Sequence, residues 1–363
     1  MKYAVLGAGC GGQTFAGHLA SMGFEVNLYN RSRARLGDLP KKPIIKLQGA
    51  IEGEGRLQYA STNIAPVIKD ADTILVATTA LGHRDIARYA TPHLKDGQTI
   101  ILNPSRTFGA LEVANTIYSK RPELDITICE ANTLLYATRV PKPGTARVHG
   151  VKDEVTIAAI RAERTNKVVE KLQKAFPQIK AAESILETSL GNIGAVFHPA
   201  IFLSNYERIQ TKEDFEFYRE GVTDKALESM KLVDAERQQL ARSLGATIPT
   251  LEEWLRTRYD LEGKDLKELL HNNPVYAGIA APKEIQHRYL LEDVPTGLVP
   301  LALVGDALGV ETPTMQTLIK EAEKITGHNL YESGRTLERL GLTRENLQKE
   351  LEGIITSNIR STG

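Results

Sequence analysis

The stretch Val5-Leu-Gly-Ala-Gly-Cys-Gly-Gly12 decides the fold. Gly7, Gly9 and Gly12 fall in the spacing G-x-G-x-x-G, directly after the apolar run at residues 3–6 and at the start of a helical pattern over 13–22. In a strand–turn–helix of this kind Gly7 permits the tight turn and Gly9 lets the main chain approach a pyrophosphate. Gly12 lets the helix sit close to the strand, and the helix N-terminus faces the phosphate charge. The bland reading is a glycine-rich turn without a ligand. Context favours the dinucleotide reading, because a second strand ends about 20 residues downstream of the motif.

The residues just past that second strand bear on the cofactor. An NAD site usually carries an acid there to accept from the ribose 2′-hydroxyl. This chain has Asn30, Arg31, Ser32, Arg33 and Arg35. No carboxylate stands there to repel a 2′-phosphate, and guanidinium groups are at hand to pair with one. The expectation is NADP(H), with NAD(H) as the alternative. Asn30, Arg31, Ser32 and Arg35 join the three glycines as cofactor-binding residues, Arg31 and Ser32 closest. The competing reading is a solvated basic helix start.

Outward from the motif, strand-like runs recur at 25–29, 73–77, 99–102 and 126–129, with amphipathic stretches at 84–93 and 111–120 between them. Such alternation predicts a parallel sheet with helices on both faces. One stretch breaks the rhythm: 44–47, then Gly49, Gly53 and Gly55, then 57–59, which reads as an inserted hairpin. Strands are also expected at 146–149 and 155–158, and a helix over 166–176 that Pro177 ends. Beyond about Ser184, helical periodicities dominate at 190–206, 214–244, 286–308 and 314–325. The expected fold is α/β, a doubly wound Rossmann domain over 1–183 followed by an all-helical domain over 184–363.

A length of 363 residues fits two domains. Lysine plus arginine and aspartate plus glutamate both total 45, so no basic excess points to nucleic acid or a polybasic membrane surface. No apolar run nears the roughly 20 residues of a membrane span. Cys10 and Cys129 form neither a disulfide framework nor a metal-spacing motif, and no metal is expected. With no secretory leader pattern at Met1, the chain reads as cytoplasmic. The apolar helical half is compatible with a homodimer.

In the helical half, Gly191-Asn-Ile-Gly-Ala-Val-Phe-His-Pro199 places Asn192 and His198 on one helix that Pro199 should kink. A histidine among apolar neighbours is costly unless paired. A satisfied core histidine is the ordinary explanation, and proton transfer the functional one. Downstream, Arg288 and Tyr289 are candidates for holding a substrate carboxylate, and Glu292 or Asp293 for orienting an imidazole. An exposed ion-pair face ending at Pro295 is the alternative.

At these residues the chain resembles the opine dehydrogenases, which include octopine and nopaline dehydrogenases. The resemblance runs nearly end to end, through the segments 102–112 and 130–139, the Asn192…His198-Pro199 helix and the run from Arg288 to Pro295. It implies a reductive condensation, in which an α-keto acid and the amine of an amino acid form an imine that NAD(P)H reduces. It implies His198 as proton donor and acceptor, Asp293 as its partner, Arg288 as a carboxylate ligand and Asn192 near the nicotinamide. Arg139 is a second carboxylate ligand by position in the matching segment alone. The chemistry is consistent with these types: an imidazole moves protons near neutrality, a buried aspartate fixes its tautomer, and guanidinium suits carboxylates. The NAD-using members carry an acid after the second strand that this chain lacks.

Two other readings compete. A ketopantoate reductase-like hydroxy acid dehydrogenase shares the two-domain plan but works with a lysine on the first helix of the second domain. This chain has His198 there and no lysine between Ser184 and Ser204. A non-catalytic NADP-binding redox sensor would keep the glycine turn without needing His198, Arg288 and Asp293.

Overall fold

Short β-branched runs build the first sheet. In chain order the strands are β1 (Lys2–Leu6), β2 (Glu25–Tyr29), β3 (Ile44–Gly49), β4 (Gly53–Arg56), β5 (Tyr59–Ser61), β6 (Thr73–Val76), β7 (Thr99–Leu102), β8 (Thr127–Ala131), β9 (Tyr136–Lys142), β10 (Thr145–Val151), β11 (Val155–Ala159) and β12 (Ile179–Ala181). Eight of them form one sheet in the order β12-β11-β8-β7-β6-β1-β2-β5. Neighbours are parallel except at β11/β8. Strands β1, β6 and β7 are buried almost throughout, as a sheet covered on both faces requires. The order reverses at β1, with β2 on one side and β6 on the other, which opens a crevice at the strands' carboxyl ends.

This is a computed structural model, and it describes residues 1–356. Two units divide at Met1–Ser189 and Leu190–Gly353. Residues 357–363, the end of the expected second domain, lie outside the described residues.

The inserted hairpin forms, with a different second strand. Ile44 pairs with Arg56 and Leu47 with Gly53, so β4 precedes the apolar 57–59 stretch. Leu57 instead enters the core, and β5 leaves to extend the main sheet beside β2. A second sheet, β4-β3-β10-β9, joins the hairpin to a later one. It covers the Cys10–Ser21 helix, whose Phe15, Ala16 and Leu19 share a core with Ile45, Leu47, Tyr136, Ala146 and Val148. The approach is close: a Cβ on Gly55 would lie 2.1 Å from the Gly17 carbonyl oxygen. Thr14 and Thr138 hydroxyls meet at 2.8 Å, and His18 Nδ1 lies 2.9 Å from the Tyr136 hydroxyl.

Glu130, at the end of β8, is fully buried. Its carboxylate accepts from the Ser105 hydroxyl (2.9 Å), the Ala110 amide (3.0 Å), the Thr188 hydroxyl (2.8 Å) and the Ser189 hydroxyl. Burial pushes its pKa up, against the pull of those four donors.

In the second unit the helices Gly194–Ser204, Asp224–Ser243, Val299–Leu308 and Pro313–Thr326 pack on one another. Buried Arg237 ties Asp234 to the carbonyls of Leu190 and Pro249. Glu236 accepts from the Thr314 and Met315 amides and so caps the last of these helices at 2.6 and 3.0 Å.

Three helices are shorter than periodicity implies. The 190–206 stretch carries His198 on Gly194–Ser204 and leaves Asn192 before that helix. The stretch expected to be helical over 214–244 becomes helix only at Asp224, where the Thr223 hydroxyl accepts from the Ala226 amide. Residues before it form an irregular segment bridged to another loop, Glu216 to Ala280. Gly221 is required in its turn, since a Cβ there would meet the Phe217 carbonyl oxygen at 2.4 Å. The 286–308 stretch is broken into Arg288–Leu291, a π-helical turn at Val294–Leu298 and Val299–Leu308. Pro295 and Pro300 lack the amide hydrogens that a continuous α-helical ladder needs.

Candidate active site

The glycine turn provides room and donors. Gly7 takes φ +111°, and a Cβ there would strike the Ala77 carbonyl oxygen at 2.8 Å. A Cβ on Gly12 would lie 1.7 Å from the Gly7 carbonyl oxygen, whereas one on Gly9 would meet nothing within 4 Å. Gly7 and Gly12 therefore serve the protein's own packing, and Gly9 faces open space. The helix that begins at Cys10 has no side-chain cap and no acid in its first turn, which leaves its amides to an anion.

The residues after β2 divide into two roles. The Asn30 Oδ1 accepts from the Ala8 amide at 2.9 Å, and its Nδ2 donates to the Ser32 carbonyl, so its amide pins the turn. Arg31, Ser32, Arg33 and Arg35 are exposed. Arg31 pairs with Asp85 only at 3.5 Å, with 72% of its side chain open to solvent, a pair worth about 0–1 kcal/mol. Gln13 is a site residue that the sequence pattern does not single out. This buried side chain donates to the Ala8 carbonyl (2.9 Å) and the Arg35 carbonyl (3.3 Å) and accepts from the Gly144 amide (2.8 Å). The turn, the basic loop and the second sheet are thereby joined. A cofactor with a pyrophosphate and a phosphorylated ribose fits this donor set.

In the helical unit the structure brings His198 and Asp293 together across 95 positions of sequence. The imidazole Nδ1 lies 2.7 Å from Asp293 Oδ2, with the aspartate side chain wholly buried and the histidine 13% exposed. Pro199 sits inside the Gly194–Ser204 helix, directly after His198. Asp293 stands at the entrance to the π-helical turn. A Cβ on Gly297 would crowd Ala195 Cβ at 2.6 Å, so this glycine lets the turn close onto the histidine helix. Asn192 is buried beside Gly297.

Aromatic rings enclose the pair. Tyr289 stacks on His198 with ring centroids 4.0 Å apart. The Tyr218 hydroxyl lies 2.7 Å from His198 Nε2. Tyr218 is stacked on Tyr276 at 4.4 Å and edged by Phe197 and Phe217. Burial, with Tyr289 and Asp293 nearby, pushes its phenol well above 10. His287 is held below the usual histidine range by burial, then by Arg288 and His198, which compete with it for positive charge.

Arg288 is exposed, and its Nε meets Glu292 Oε2 at 3.2 Å. Glu292 thus turns to the arginine and Asp293 to the histidine. Arg139 belongs to the first unit. It stands on the exposed face of the second sheet, opposite Arg147, with its Nη1 donating to the Thr138 carbonyl. Strand alternation turns its side chain away from buried Thr138.

Family models match both halves: one described as ketopantoate reductase PanE/ApbA over residues 3–162, and one described as NAD/NADP octopine/nopaline dehydrogenase, alpha-helical domain, over 181–326. An opine dehydrogenase of Arthrobacter sp. (strain 1C) is 34% identical over 360 residues, covering 99% of this chain and 98% of that one. The chain belongs to the opine dehydrogenase family. It is accordingly an NAD(P)-dependent oxidoreductase. In fold this family member is similar to octopine dehydrogenase solved with NADH and L-arginine (TM-score 0.84, 21% identity, 97% and 98% of the two chains covered). It is also similar to NADP+-bound yersinopine dehydrogenase (TM-score 0.73, 17% identity, 98% and 99% covered).

Proposed function

We propose that this chain condenses an α-keto acid with the amino group of an amino acid and reduces the resulting imine at the expense of NADPH. The observation that carries the reading is the His198–Asp293 pair on a helical unit of the octopine/nopaline type. Asp293 accepts from Nδ1, which fixes the tautomer and stabilises the imidazolium. His198 is the base that ends with the proton lost by the attacking amine and the acid that supplies the one returned as the carbinolamine loses water. Arg288, whose side chain is about half exposed, holds a substrate carboxylate, and Asn192 matches a family position near the nicotinamide. A bound reduced nicotinamide supplies the hydride. Gly7, Gly9 and Gly12 shape its pyrophosphate site, and Arg31, Ser32 and Arg35 receive the 2′-phosphate.

The test is oxidation of NADPH and of NADH with pyruvate and other keto acids, each with and without a pool of amino acids. Turnover that requires both a keto acid and an amine is the expected outcome. Turnover with the keto acid alone would favour a hydroxy acid dehydrogenase, the reading that the match of residues 3–162 to ketopantoate reductase keeps open. Arg31→Ala should raise the Kd for NADPH about tenfold, near 1.4 kcal/mol, and leave NADH within about twofold. Equal weakening of both would remove Arg31 from the 2′-phosphate site.

A further inference from the structure

The imidazole of His198 is hemmed in on three sides. Asp293 occupies Nδ1 at 2.7 Å, the Tyr218 hydroxyl occupies Nε2 at 2.7 Å, and Tyr289 covers one ring face at 4.0 Å. A carboxylate only accepts, so Nδ1 carries the hydrogen. In the neutral imidazole Nε2 is then an acceptor, and Tyr218 donates to it. In the imidazolium Nε2 donates, and Tyr218 must turn its own hydrogen elsewhere. Tyr289, which also hydrogen-bonds Tyr218, offers the place.

Tyr218 is not a side chain that swings aside. It is buried, stacked on Tyr276 and wedged between Phe197 and Phe217. Its main chain is fixed as well: the Phe217 amide donates to the Ile279 carbonyl at 2.8 Å, and the Ala281 amide to the Phe215 carbonyl at 2.9 Å. Buried Asn205 donates to the carbonyls of Ile201 and Gly221, at 2.8 and 2.7 Å, and so ties the Tyr218 turn to the histidine helix.

We propose that every proton His198 gains or loses passes through the Tyr218 hydroxyl, with the Tyr289 hydroxyl as the next station outward. The proposal rests on the reading of His198 as the proton-transfer group. In the charging direction a proton adds to the Tyr289 oxygen, and the hydrogen Tyr289 held moves to the Tyr218 oxygen. The hydrogen Tyr218 held moves to Nε2. One N–H bond forms at Nε2, each phenol ends with one O–H, and no phenolate is left behind. The high pKa of Tyr218 agrees with a hydroxyl that stays protonated while it donates and accepts. Tyr218 is therefore a positioning and relay residue that acts through His198.

The experiment compares wild type, Tyr218→Phe and His198→Ala in single-turnover condensation, in mixtures of light and heavy water. Tyr218→Phe keeps the ring and removes only the hydroxyl. The expected result is a rate lowered roughly 100-fold or more, with KM for both substrates within about threefold. The isotope dependence should be bowed in the wild type and linear in the variant, a change that packing alone does not produce. A Tyr218→Phe rate within about threefold of wild type with the same bowed dependence overturns the relay. So does a raised KM at unchanged rate, which would make Tyr218 a pocket wall. Should Tyr218→Phe not fold, fluorinated tyrosines at 218 keep the shape and change only the acidity. The rate should then follow the number of ring fluorines, and a constant rate overturns the proposal. If His198→Ala itself turns over normally, it is the parent reading of His198 that fails.

Discussion

The two units present their polar groups in opposite ways. The first uses main chain: the turn through Gly7, Gly9 and Gly12 offers amides and empty space, and Asn30 and Gln13 commit their side chains to holding that turn. The second uses side chains: those at positions 218, 289 and 293 each meet the His198 imidazole at a specific atom or face. A main-chain site is damaged by adding an atom, and a side-chain site by removing one. The two halves should therefore fail under different substitutions and in different observables.

The largest expected effect lies in the helical unit. Asp293→Asn keeps the shape but can present its amide hydrogens to Nδ1, so the tautomer reverses. The turnover number should fall by about 10³-fold or more, with cofactor Kd and thermal stability close to wild type. A variant with normal turnover would break the comparison on its side-chain half. The glycine pair gives the next effect and sharpens the other half. In Gly12→Ala the new Cβ meets the Gly7 carbonyl oxygen, so both folding stability, by about 1–3 kcal/mol, and cofactor binding should drop. In Gly9→Ala the methyl enters open space, so the melting temperature should hold while cofactor Kd rises about tenfold. Calorimetry and cofactor titration separate the two. If both variants lose stability equally, Gly9 belongs to the fold and not to the ligand.

The smallest effect concerns pH. Burial lowers the pKa of His18 below 6.5, so the folded state resists its protonation. A depressed folded pKa means stability that is present above pH 6.5 and lost as the pH falls through the folded value. His18→Gln should flatten the dependence of melting temperature on pH in that acidic window. An unchanged slope would assign the acid lability to other groups.

These halves also differ in how far they can be read from sequence. A main-chain site is encoded by spacing, so the dinucleotide turn, the parallel strands and the basic loop are legible from local pattern. His198 stands out as a polar residue in an apolar run, and Asp293 comes from resemblance. Tyr218 is not legible. Its segment looks helical because Phe215, Tyr218, Val222, Ala226 and Met230 keep a helical apolar rhythm. The contrary signal is present in Gly221 and in Thr223-Asp224, a helix start with its cap and acid. The break at Pro295 is likewise marked by a proline inside a periodic run. Arg139 is placed by segment likeness alone, and strand alternation sets it on the exposed face. The duties of Asn30 and Gln13 reach partners as far as 22 and 131 positions away, which no local pattern records.

The cover over the Cys10–Ser21 helix has a consequence for the order in which the molecule can be made. Strand β3 pairs in parallel with β10, and β10 in turn carries β9. The roof above this helix is therefore closed only by residues made more than a hundred positions after it. As the chain leaves the ribosome, the early hairpin can lie against the helix, but Phe15 and Leu19 keep part of their surface wet until Val148 has emerged. The turn that defines the nucleotide site is thus synthesised well before the strands that seal it.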